Sequence, residues 1–156
     1  MTYKLPFTAI SKALYATLNG QGLEWFDSAV PITEIEDYFR SQAEFSYGIL
    51  GAADMDARDT KTGPVWTMAI NLQIYSNYRG RKDVAQKLEA TFCRLVSSDG
   101  REALNASLNT DGFTLVDLTI GAVSISLPIV GDAGEWQNGS VNLKIRVGQL
   151  KEEQFK

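Results

Sequence analysis

Along residues 65–76, Val-Trp-Thr-Met-Ala-Ile-Asn-Leu-Gln-Ile-Tyr-Ser, large apolar side chains fall on every second position. Trp66, Met68, Ile70, Leu72 and Ile74 share one parity, and Thr67, Asn71, Gln73 and Tyr75 share the other. A period of two over that length predicts a strand with one buried face and one face left for other work. The polar turn Asn77-Tyr78-Arg79-Gly80-Arg81 ends it. A helix is predicted from about Lys82 to Ser98, with Val84, Leu88, Phe92 and Leu95 on one stripe that must lie against the sheet. Cys93, in the same helix, reads as a small buried hydrophobe.

The same patterning places the other elements. Ile10, Leu14 and Leu18 recur at helical spacing, so a first helix capped by Thr8 or Ser11 is expected to end at Asn19-Gly20-Gln21-Gly22. Leu23 to Val30 reads as extended, and Ile32 to Phe39 as one or two helical turns with an acidic outer face. Phe45 to Leu50 reads as a strand. The small, charged stretch from Ala52 to Gly63 is expected to be a long hairpin arm or a mobile loop between two antiparallel strands. After Asp99-Gly100 breaks the helix, Arg101 to Asn109 is expected to add another helical turn.

Phe113 to Leu127 forms a second long β region, whose apolar parity switches twice, with Gly121 at one switch, as a bulge requires. In Val141 to Val147 the odd positions are apolar and the even ones polar or basic. The fold class expected is therefore α+β, a mostly antiparallel β-sheet with two main helices packed on one face. The chain is read as one domain over residues 1–156, frayed from about residue 150.

Composition narrows the chemistry. With no histidine and one cysteine, Ser–His–Asp and Cys–His mechanisms and thiolate metal cages are excluded. No glycine-rich phosphate loop is present. Asp54-Met55-Asp56 with Asp59 lacks the glycine and distal glutamate of a calcium loop, so it reads as a solvated acidic cluster. No enzyme activity, cofactor or metal is expected. No apolar run approaches the ~20 residues that span a bilayer, and Met1 to Pro6 lacks the apolar core of a secretory signal. The two glycosylation sequons, at Asn105 and Asn138, therefore read as chance.

Charge is segregated within the net −4: residues 1–60 carry 4 basic and 9 acidic groups, residues 61–100 carry 6 and 3. An acidic whole argues against a dedicated nucleic-acid binder, while the split suits complementary surfaces on one subunit.

From Asp59-Thr60-Lys61-Thr62-Gly63, through the alternating strand to Ile74-Tyr75-Ser76, and on to Tyr78-Arg79-Gly80-Arg81-Lys82-Asp83-Val84, the chain resembles the tail terminator proteins of long-tailed bacteriophages, also called tail completion or tail-to-head joining proteins. The helix at 9–18, the strand at 47–50 and the closing strands agree in kind. Tyr75 stands where members usually have Trp, and residues 31–45 are longer and more acidic than the family's first loop.

The resemblance implies a structural virion protein: a ring, commonly a hexamer, that caps the tail tube, ends its polymerisation and provides the surface for joining the head. Its implied partners are other copies of itself, the tail tube protein and head connector proteins, with no membrane and no sequence-specific nucleic acid, although DNA passes through such a ring. Its implied location is the host cytoplasm during assembly and then the head-proximal end of the tail. Asp54, Asp56, Arg58, Asp59, Lys61, Tyr75, Tyr78, Arg79 and Arg81 are the expected oligomer or tail-tube interface residues, the basic turn meeting the acids of a neighbouring copy or of the tail tube. Another connector or tube component of similar build, or a small non-viral binding domain, are the alternatives.

Overall fold

The computed structural model describes residues 4–19, 23–27, 32–41, 44–60, 63–77, 82–126, 129–131 and 134–150. Its elements run α1 (Phe7–Leu18), β1 (Glu24–Asp27), α2 (Ile32–Tyr38), β2 (Ser46–Thr60), β3 (Gly63–Ser76), α3 (Lys82–Val96), α4 (Ser98–Thr110), β4 (Phe113–Ile125), β5 (Ile129–Gly131) and β6 (Gly134–Gln149). The sheet order is β1-β2-β3-β6-β4, with β5 paired to the start of β6. Every pairing is antiparallel except β1 with β2. The fold is α+β.

The even-numbered residues of β3 and the odd-numbered residues of β6 form the buried floor: Met68, Leu72, Val141, Leu143, Ile145 and Val147 are essentially inaccessible. Over this floor lie α1, α3 and α4, which contribute Ile10, Leu14, Val84, Leu88, Leu95, Leu104 and Leu108 to one core. The sequence expectation of two main helices on one face is thus extended by a third, because α4 is a full 13-residue helix rather than a turn.

Its start explains why residues 99–100 resemble a break. Ser97 is the N-cap and its hydroxyl accepts from the Gly100 backbone N–H at 3.0 Å. A Cβ on Gly100 would sit 1.7 Å from the Arg94 carbonyl oxygen, so this glycine allows the tight α3–α4 junction. At the other end of the chain, α1 begins at Phe7 with Pro6 as N-cap, not at a Thr8 or Ser11 cap. It does end at Leu18, where Asn19 turns extended. Arg94 holds that end by donating from Nε to the Thr17 carbonyl at 3.1 Å.

A parallel neighbour requires a crossover, and the segment that joins β1 to β2 carries α2 onto the opposite face. There Ile35 and Phe39 pack with Phe45 and Tyr47 in a second, smaller core edged by Phe26, Tyr75 and Trp136. Trp136 belongs to a 16-residue β6, longer than the 141–147 strand that alternation alone marks out.

Both parity switches of β4 are bulges. The register shifts between Leu115 and Asp117 and again between Ile120 and Val123. Each shift adds one residue, so Leu115, Leu118, Ile120, Val123 and Ile125 all stay on the helix-covered side. The half-buried Asn105, a residue of one sequon, accepts the Leu115 N–H at 2.8 Å beside the first bulge.

Candidate interaction surface

The stretch 52–60 is strand, not a mobile loop. Ala53 to Thr60 pairs residue by residue with Ile70 to Gly63, after a register shift between Leu50 and Ala53. The hairpin arm expected from the sequence is present and the loop expectation is corrected, because eight consecutive ladder positions outweigh the low apolar content. β1 pairs only with residues 47–50 of β2, so among the described residues no strand flanks β2 on its outer side beyond Leu50. At the far side of the sheet β4 is likewise an edge.

The register sets the sheet face opposite the three long helices. Asp54, Ala69, Lys144 and Thr119 lie in one row across β2, β3, β6 and β4. Asp56, Thr67, Arg146 and Asp117 make the next. Adjacent strands are spaced by about 4.8 Å, which puts the acidic column of β2 about 10 Å from the basic column of β6. Asp54, Asp56, Lys144, Arg146 and Asp117 are all exposed, and among the described residues none of the five is in an ion pair. Among the described residues Arg146 Nε reaches only the Thr67 hydroxyl, at 3.4 Å.

Small residues floor the gap. Asp54, Ala52, Ala69, Asn71, Asn142 and Lys144 line an open groove of about 460 Å³. Asn71 Nδ2 donates to Asn142 Oδ1 at 2.6 Å along its floor. Helix α2 covers only the Tyr47 end of this face.

Of the expected interface residues, Asp54 and Asp56 come together here. Arg58 and Asp59 continue β2 opposite Val65 and Pro64, but their side chains lie outside the described residues. So do Lys61, Tyr78, Arg79 and Arg81, and with them the expected pairing of the basic turn with the acids.

Tyr75 sits apart, six residues along β3 from Ala69 and roughly 20 Å away. Its ring stacks on Tyr47 at 5.4 Å between centroids, and its hydroxyl donates to Gln73 Oε1 at 2.5 Å. Burial, with Tyr75 and Glu36 close by, pushes the Tyr47 phenol up to about 12, and burial raises that of Tyr75 as well. Both phenols therefore stay neutral at physiological pH, as members of the small core.

A second surface was masked by helix arithmetic. At about 100° per residue, Val84, Leu88, Thr91 and Leu95 fall within about 60° of each other, but Phe92 falls about 80° from Val84. Phe92 is accordingly 40% exposed, correcting its place on the buried stripe, and the neighbouring Cys93 is exposed rather than buried. With Ala85, Val123 and Ile125 they line a groove of about 310 Å³ between α3 and the edge strand β4. Val123 is 47% exposed.

Lys144 and Arg146, absent from the expected set, had a signal in the faultless alternation of β6. Their relation to Asp54 and Asp56 needed the strand order, which places β3 between them.

Comparison with known protein families and with characterised proteins gave no match.

Proposed function

We propose that this chain is a ring-forming structural subunit, of the tail terminator kind that its central strand, turn and helix resemble. The observation that carries the reading is the pair of unlike sheet edges. One is the acidic arm of β2, open beyond Leu50. The other is the bulged β4, flanked by the apolar groove of Phe92 and Val123. A closed ring needs two different patches that meet head to tail, and open strand edges are a common means of joining chains. In this role the subunit caps a tail tube and later meets the head connector.

The test is direct imaging. Negative-stain micrographs of the purified chain should show rings of about six copies, and added tail tubes should carry one ring at one end. A chain that stays monomeric both alone and with tubes overturns the reading. Rings that ignore tubes would favour a connector role.

A further inference from the structure

We infer that the outer edge of the β2 arm is a strand-addition site for an extended segment of another protein, one that carries lysine or arginine at alternate positions. β2 runs for 15 residues, and β1 pairs only with Tyr47 to Leu50 of it. From Ala53 to Thr60 the arm pairs with β3 at every position, without a register shift, and it contains no proline. Alternate residues of such a strand direct their N–H and C=O groups away from the sheet. Among the described residues no strand takes them. An open edge of this kind is what an extended segment adds to.

The two edges of the sheet differ in what they can template. Proteins discourage strand addition with bulges, proline, charge or a covering element. Two bulges break the ladder of β4 into the short runs 113–115, 117–120 and 123–125. The arm keeps its regular ladder from Ala53 onwards, and charge is the one such device that its described residues carry. That charge is selective. Asp54 and Asp56 are exposed, two residues apart on the helix-free face, and among the described residues neither is in an ion pair. An added strand places side chains directly opposite them, where like charge destabilises and opposite charge stabilises.

The fitting strand comes from outside this chain. Among the described strands, exposed bases at that spacing occur on β6, as Lys144 and Arg146, and β6 is already paired on both sides. On the other face of the arm Ala53 and Met55 pack against the main core, so apolar residues between the bases continue that face. Helix α2 does not contest the site. It packs with Tyr47 and Ile49, before the register shift that follows Leu50, and an added strand lies in the plane of the sheet rather than over it. The inference does not rest on the ring proposed above.

The experiment uses the full chain, at dilutions where sedimentation shows it monomeric, and three labelled, capped peptides. One alternates lysine with valine, one has glutamate in place of lysine, and one has proline in place of valine. The last keeps the charge and cannot form a ladder. By fluorescence anisotropy the lysine–valine peptide should bind roughly tenfold or more tightly than either of the others, and salt should weaken it. In D54K/D56K the preference should invert towards the glutamate peptide. Both positions are exposed, and circular dichroism checks that the variant is folded. Bound peptide should also slow hydrogen exchange at the open-edge amides between Ala53 and Thr60 and leave those of β4 unchanged.

A lysine–valine peptide that binds no better than its proline counterpart reduces the contact to charge attraction and overturns strand addition. Undiminished binding by D54K/D56K overturns the site, as does protection on β4 instead of the arm. Rings formed by a chain that binds no peptide overturn this inference and leave the ring reading intact. Peptide binding with the expected preferences, by a chain that never forms rings, upholds the arm and overturns the ring.

Discussion

Leu88 and Phe92 stand one helical turn apart, and their surroundings separate them. Leu88 is 3% exposed, wedged over Gly139 of β6, where an added Cβ would come within 2.7 Å of its side chain. Leu88→Ala should therefore cost about 2–5 kcal/mol through the cavity it leaves. Phe92→Ala, on the groove rim, should cost about 1 kcal/mol or less. Paired thermal melts check the contrast, and equal losses would return Phe92 to the core. Four-residue spacing made both look alike in the sequence, since the angular offset that decides burial depends on where the sheet lies. Gly100 teaches the converse: what resembled a breaker is an N-terminal helix residue required by a close backbone approach. Gly100→Ala should destabilise by more than about 2 kcal/mol, measured by denaturant unfolding. Tyr47 adds a pH dependence. Burial raises its phenol from the ordinary 10.0 to about 12, so its protonated form is favoured by folding. That stability is complete below pH 10 and is lost as pH rises towards about 12. Tyr47→Phe should lose less stability than the wild type over that window, and parallel alkaline loss in both would show another group responsible.

At the scale of elements, strands with clean alternation were legible from the residues alone. β3, the core of β6 and the double parity switch of β4 all follow from which side of each residue is apolar. The register then shows each switch absorbing one extra residue. Elements whose order comes from pairing rather than composition were not legible. Ala52 to Thr60 is small and charged in sequence, with Ala52, Asp54 and Asp56 exposed, yet its backbone is tied to β3. Similarly, α4 hides its three buried positions, Gly100, Leu104 and Leu108, among polar residues. Hydrogen exchange tests the arm. Alternate amides between Ala53 and Thr60, those directed at β3, should exchange far more slowly than those on the open edge. Uniformly fast exchange throughout would mean that the segment behaves as a loop after all.

For the whole molecule, the question is what an open sheet with two dissimilar edges does in solution. Long exposed edges invite pairing, and proteins blunt them with bulges and charge. β4 carries two bulges, and the outer part of β2 carries Asp54 and Asp56. Neither edge is therefore suited to indiscriminate pairing with its own kind. Beside β4, however, the groove between α3 and the sheet exposes Phe92 and Val123 next to the more buried Ile125, an apolar patch ringed by Glu89 and Ser124. Aromatic side chains in such a setting dominate association energy, while charge on the rim chiefly selects the partner. If copies join through this edge, a charge placed at its centre should block joining without unfolding the subunit. Phe92→Glu and Val123→Lys should each leave the fold within about 1 kcal/mol of wild type, since both side chains already face solvent in part. Each should weaken assembly roughly tenfold or more. Native mass spectrometry across a concentration series, with a thermal melt for each variant, measures both quantities. Rings that persist in both variants would move the joining surface away from β4 and on to the β2 arm or residues 78–81.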